Sequence, residues 1–289
     1  MIKVKVIGDS YYYDQHEDPH RVTTFELEYP RYIHSELGTH RVFSRNSASS
    51  RAIPIEKMID LIYEDTAVPE WTLNQKGMIG KEMDNQITAL KARNVWFEAR
   101  DDAVRAVRKL IELGIHKQNA NRLLEPFQHI KTILTGTDFD NFFKLRISPE
   151  AQPEIRQLAT MMRDERDESV PWELKENEVH CPFFEHVKVS DVKTVLKAVA
   201  LCAQVSYRKE DGKEDTVRRI INQLLKGERI HASPFEHICI PDFEYTAGNL
   251  NCFTQLRHCI ERWKKYGNLP DEPDYYDCIS GLGKRIWQY

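Results

Sequence analysis

The longest uninterrupted pattern in this sequence runs from Glu82 to Gly114. There Ile87, Leu90, Val95, Val104, Val107, Leu110 and Ile111 recur near helical spacing. The pattern predicts one long scaffold helix that stops at Gly114, a residue that closes a helix without steric cost. The chain must also accommodate two alternating runs at its start, Ile2 to Gly8 and Val22 to Tyr29, so a pure helix bundle is excluded. Phe25-Glu26-Leu27-Glu28-Tyr29 is apolar on one face only, as in a strand covered on one side. Further helices are expected from Pro30 to about Val42 and over Ile55–Tyr63, Lys117–Leu124, Asp138–Leu145 and Ala151–Met162. Others should run from a cap at Ser190 or Asp191 through Ala203, over Thr216–Leu225 with Gly227 as its stop, and over Cys252–Tyr266. A strand is expected over Ile238–Tyr245. Helices outnumber strands, and the fold class is α+β.

Composition narrows the function classes. With 41 basic and 45 acidic side chains the formal charge is −4, which argues against bulk nucleic-acid binding. No apolar stretch reaches the roughly 18–20 residues of a membrane span, and the alternating start lacks the apolar run of a signal peptide. All six cysteines fall at Cys181 or later, with no C-x-x-C pair. They are expected as reduced, packed thiols of a cytoplasmic protein, with no metal site. The acidic, polar segment 166–184, with Pro171 and Pro182, is expected to link residues 1–165 to residues 185–289.

Two segments carry chemistry. In His40-Arg41-Val42-Phe43-Ser44-Arg45-Asn46-Ser47-Ala48-Ser49-Ser50-Arg51, three arginines and four serines stand without an acid between apolar flanks. Guanidinium forks and hydroxyls in a turn suit a phosphate. In His231-Ala232-Ser233-Pro234-Phe235-Glu236-His237, Ser233 can cap a helix begun by Pro234, with Glu236 near the capping-box position.

Taken together, these segments resemble the flavin-dependent (alternative) thymidylate synthases. The first matches their R-H-R-x-x-S-x-N-x-x-S-x-R signature and the second their H-x-S/T-P-F-E-H motif. Val205-Ser206-Tyr207 resembles their V-S-[FY] triplet. Arg122-Leu123-Leu124-Glu125-Pro126, Asn141 to Arg146, and Ala151-Gln152-Pro153-Glu154-Ile155-Arg156 are further similar stretches. The order differs: in the family the V-S-[FY] and S-P-F-E-H segments precede the signature, and here they come after it. A circular permutation is expected, and Gln255-Leu256-Arg257-His258 reads as a possible trace of a second signature.

The resemblance implies a homotetramer with shared active sites that methylates C5 of dUMP to give dTMP, using FAD, NADPH and methylenetetrahydrofolate. It places His40, Arg41, Val42, Asn46, Asn141, Ser206, His231, Ser233 and Glu236 at the FAD. Glu36, Thr39, Ser47, Ser49, Ser50, Arg51, Arg122 and Arg146 fall at the nucleotide, with Arg146, Arg51 and Ser49 as the catalytic set. Several positions depart from the family pattern. Thr39 stands for the first arginine, Glu36 for a glutamine, Ser47 for a glutamate and Ala52 for a tyrosine. A carboxylate at Glu36 could accept a hydrogen bond from a cytosine amino group, making dCMP methylation or hydroxymethylation the alternative. A catalytically inactive flavin- or nucleotide-binding relative is the reading from another class.

Overall fold

The computed structural model describes residues 1–206, 213–244, 249–267, 269 and 274–275. Tyr207, Tyr245 and Cys278, which enter the sequence reading, lie outside them.

The two alternating runs pair as expected. β1 (Lys3–Tyr13) and β2 (Pro19–Pro30) form an antiparallel ladder from Lys3↔Glu28 to Tyr13↔Pro19, with a bulge between Val6 and Gly8. A short 3-10 turn (Arg31–Ile33) leads into α1 (His34–Gly38). The helix expected to reach Val42 therefore ends at Gly38. The next element is β3 (Ser44–Ser47), formed by residues whose composition suggests a polar loop.

α2 (Ile55–Glu64) and α3 (Gln86–Glu112) agree with the periodicity, and the side chain of Asn85 caps α3 by accepting from the amides of Ile87 and Thr88. Gly114 takes φ +77° just beyond its end, the left-handed turn that glycine adopts freely. Val104 and Val107 are buried against α2, whereas Ile87, Leu90 and Val95 are 68%, 59% and 63% exposed. Only the second half of the apolar stripe is therefore used within the chain. α4 (Lys117–Ala120) gives way to a 3-10 stretch (Asn121–Phe127), since Pro126 cannot continue an α-helix.

β4 (His129–Gly136) joins the main sheet, whose order, with β5 (Trp172–Glu173) at its far edge, is β3-β4-β2-β1-β5. α5 (Asp140–Arg146) and α6 (Pro153–Glu168) pack on the face that carries Phe25, Leu27 and Tyr29. The expected linker is not a loose connection. Its start is the end of α6, and β5 (Trp172–Glu173) joins the sheet parallel to β1. β6 (Glu178–Val179) then pairs with β7 (Val187–Lys188), and Leu174, Val179, His180 and Cys181 are buried.

The later part of the chain forms a second core from α7 (Val192–Ala203) and α8 (Glu214–Leu225) with the Ser233–His237 turn. β8 (Cys239–Pro241), β9 (Phe253–Gln255) and α9 (Leu256–Lys265) complete it. Asp191 caps α7, its side chain accepting from the Thr194 amide at 3.2 Å. The single helix expected over Cys252–Tyr266 is thus a short strand succeeded by a helix.

The two cores meet across the second face of the sheet. Ile7 and Ile133 pack with Cys202 and Val205 there. Gly8 permits the approach, since a Cβ at that position would lie 3.1 Å from His180 Cε1 and 3.2 Å from Pro182 Cα.

Candidate functional site

β3 brings the signature segment onto the sheet, paired with β4 from Ser44↔Thr135 to Ser47↔Thr132. Strand alternation then divides its side chains between two faces. Arg45 and Ser47 turn to the first core: Arg45 Nη1 donates to the Leu37 carbonyl at 2.7 Å, and Ser47 Oγ lies 2.9 Å from Thr132 Oγ1. Ser44 and Asn46 face the later half of the chain.

Asn46 joins the halves. Its Nδ2 donates to the Cys202 carbonyl at 2.6 Å, and its Oδ1 accepts from Ser233 Oγ at 3.1 Å. Nearby, the Ser49 amide donates to Ser206 Oγ at 3.0 Å. Ser233 is therefore not the helix cap expected from the sequence. Its turn is 3-10, no side chain caps it, and the hydroxyl is used on Asn46 instead. Nor does Glu236 close a capping box: its carboxylate, on a residue only 6% exposed, is held by the Arg257 guanidinium.

A second group surrounds Arg146 at the end of α5. Its Nε donates to His40 Nε2 at 2.9 Å, Nη1 to Glu36 Oε2 at 3.2 Å and Nη2 to Thr39 Oγ1 at 3.3 Å. Burial and the Arg146 and Arg45 charges push the His40 pKa below its usual value, so its imidazole stays neutral and accepts. The ring is wedged edge-on to Phe142 at 4.9 Å between centroids. Glu36 and Thr39, two departures from the family pattern, are thus direct partners of Arg146, which the resemblance places at the nucleotide.

A third group lies at the 3-10 stretch after α4. Glu125 Oε1 accepts from Arg122 Nη1 at 2.7 Å and from Ser50 Oγ at 3.3 Å, and pairs with Arg31 Nη2 at 3.0 Å. Ser50, Ala48, Ser206, Arg31, Lys57 and Lys131 line part of a cavity of about 420 Å³. Arg41, Val42, Arg51, Asn141 and His231 are exposed. Among the described residues, Arg41, Arg51 and Asn141 have no side-chain partner, and the chain does not by itself bring them to the others.

Behind the site runs a buried polar line that spacing alone does not single out. Ser10 Oγ lies 2.8 Å from His180 Nδ1, His180 Nε2 2.8 Å from Thr24 Oγ1, Thr24 Oγ1 2.7 Å from Thr135 Oγ1, and Thr135 Oγ1 2.8 Å from His237 Nδ1. Burial lowers the His180 pKa to about 4, and burial together with the neighbouring His180 lowers that of His237 to about 3. His237 Nε2 ends the line without a hydrogen-bond partner among the described residues.

Cys181, Cys239 and Cys259 are buried thiols. Among the described residues no group of His, Cys, Asp and Glu is placed to hold a metal ion. No helix there is long and apolar enough to cross a membrane.

Comparison with known proteins agrees with the sequence resemblance. The family model described as thymidylate synthase complementing protein matches residues 11–172, more than half of the chain. The flavin-dependent thymidylate synthase of Thermosipho melanesiensis is 28% identical over 169 residues, 55% of this chain and 69% of that protein. The enzyme of the same name from Thermus thermophilus is 28% identical over 163 residues, 54% of this chain and 57% of its own length. A solved structure of the UMP/dUMP methylase PolB from Streptomyces cacaoi, bound with 5-Br UMP, aligns with a TM-score of 0.46 at 18% identity, covering 57% of this chain and 88% of that one. By the extent of the family match, this chain belongs to the thymidylate synthase complementing protein family.

Proposed function

We propose that this protein is a flavin-dependent methyltransferase acting on C5 of a pyrimidine deoxynucleoside monophosphate. In this reading dUMP is converted to dTMP, with methylenetetrahydrofolate and NADPH as co-substrates. The observation that carries the reading is the junction itself. The signature strand and the S-P-F-E-H turn, 187 residues apart, meet through Asn46 and Ser233 at 3.1 Å. A circular permutation, or a trimmed tandem duplication, accounts for that meeting with the segment order reversed. Residues 1–165 and 185–289 then form one catalytic unit.

The donor set fits an FAD and a nucleotide. Both ligands carry phosphates, and Arg41, Arg51 and Arg122 are exposed guanidiniums. Flavin, when bound, supplies the redox and one-carbon chemistry; the protein supplies position and charge. His40, Arg41, Val42, Asn46, Asn141, Ser206, His231, Ser233 and Glu236 are the residues to hold it. Arg51, Arg122, Ser49 and Ser50 clamp the nucleotide phosphate. Arg146 stabilises negative charge that develops on the base, an effect strongest where water is excluded.

Exposed Ile87, Leu90 and Val95 on α3 support a homo-oligomer. A tetramer with shared sites brings the exposed Arg51 and Arg41 to a neighbour's ligands. Buried thiols suit a reducing cytoplasm.

Glu36 favours a second reading. Its Oε2 accepts from Arg146 Nη1 at 3.2 Å, and the carboxylate keeps lone pairs that suit a cytosine amino group beside that arginine. That acceptor supports methylation or hydroxymethylation of dCMP as the alternative.

The first test is the protein's colour. Purified protein supplemented with FAD should turn yellow after desalting and bleach on addition of NADPH. Protein that stays colourless would contradict the flavin reading and favour an inactive relative.

A further inference from the structure

The segment from Asn249 to Lys265 lies, like the S-P-F-E-H turn, outside the matched family region, and it ties that turn to β3. Asn249 Nδ2 donates to Ser44 Oγ at 3.2 Å, and Gln255 Nε2 donates both to Ser44 Oγ at 2.7 Å and to the Glu236 carbonyl at 2.9 Å. The Leu256 amide donates to the Ile238 carbonyl at 2.9 Å. Arg257 Nη1 then binds Glu236 Oε1, while its Nε donates to Glu261 Oε1 at 2.9 Å one turn further along α9. Gln255 is buried, and so is Glu236. Both ends of Glu236, carbonyl and carboxylate, are fixed by adjacent elements of the same unit.

A carboxylate withdrawn from water needs a paired cation, and removal of that cation leaves an uncompensated buried charge. An unpaired Glu236 would also repel the phosphates of a dinucleotide bound at this turn. Pairing with Arg257 weakens that repulsion at the turn, since the guanidinium's other carboxylate partner, Glu261, lies along α9.

We propose that Arg257, assisted by Gln255, is a positioning residue of the flavin site, holding the Glu236 carboxylate in an ion pair so that the turn accepts an anionic dinucleotide. The proposal rests on the flavin reading above.

The test is an FAD titration of the full chain, monitored by flavin absorbance and fluorescence, on wild type, R257Q, R257K, E236Q and the E236Q/R257Q pair, with a thermal melt of each. R257Q should weaken FAD by about tenfold and alter the bound flavin spectrum, R257K should recover part of the affinity, and the double variant should lose no more than E236Q alone. Should R257Q fail to fold, the double variant, which carries no unpaired buried carboxylate, decides by the same comparison. R257Q with wild-type affinity and spectrum, or a double-variant loss equal to the product of the single losses, would overturn the proposal while leaving the flavin reading intact. So would melts that fall with no change in affinity. Wild-type protein that takes up no FAD would overturn both.

Discussion

Ser233 Oγ donates to Asn46 Oδ1 at 3.1 Å across 187 residues of sequence. The same asparagine donates to the Cys202 carbonyl at 2.6 Å, so one side chain ties β3 to both α7 and the S-P-F-E-H turn. Ser233→Ala and Asn46→Ala should each cost about 0.5–1.5 kcal/mol in stability. The two changes should combine with less than additive cost in chemical denaturation, because they share a hydrogen bond. Strict additivity would show that the contact does not hold the halves together.

Arg146 meets Glu36, Thr39 and His40 through separate nitrogens. Arg146→Ala should lower turnover by about a hundredfold or more while flavin remains bound, because the residue is assigned to the base. Loss of flavin with retained nucleotide affinity would reverse the assignment. Glu36→Gln should shift the uracil-to-cytosine preference in kcat/KM, since it replaces an acceptor-only group with one that both donates and accepts.

The buried histidines make stability depend on pH. Their folded pKa values, about 4 for His180 and about 3 for His237, lie below the ordinary 6.5. The unfolded chain therefore binds protons that the folded chain refuses, and stability rises with pH through this range. The contribution is complete above the unfolded value and is lost as pH falls from it toward the folded values. The denaturant midpoint should drop between pH 7 and pH 5, and His180→Gln should flatten that slope. An unchanged midpoint would contradict the buried neutral pair.

Gly8→Ala places a methyl group 3.1 Å from His180 Cε1 and 3.2 Å from Pro182 Cα. Crowding of this kind costs about 1–3 kcal/mol. The expected effect is a lower melting temperature. A melt equal to wild type would mean that the two layers separate without cost.

Much of this was legible in the sequence, because periodicity reports burial. The strands of the first hairpin, the long α3 and the Asp191 cap follow from pattern and cap chemistry. β3 was not legible: Ser44, Arg45, Asn46 and Ser47 carry no alternation of apolar and polar types, and their strand form comes from β4 beside them. The polar face of β2 reads as solvent-facing, yet Thr24 is buried because His180 and Thr135 satisfy its hydroxyl. The capping-box reading of Ser233 and Glu236 failed for the same reason, since tertiary partners, Asn46 and Arg257, displaced the local ones. Sequence patterns register a residue's neighbours along the chain, whereas these groups are satisfied by residues more than twenty positions away.

Mass spectrometry of the nucleotide product tests the central claim most directly. Flavin-loaded protein with NADPH and methylenetetrahydrofolate, given dUMP or dCMP, should yield a pyrimidine monophosphate heavier by a one-carbon unit, with dTMP from dUMP as the expected product. Turnover of dCMP alone would assign the pocket to cytosine. An unmodified nucleotide in both reactions, from protein that binds flavin, would contradict the claim that the joined segments form a working methyltransferase.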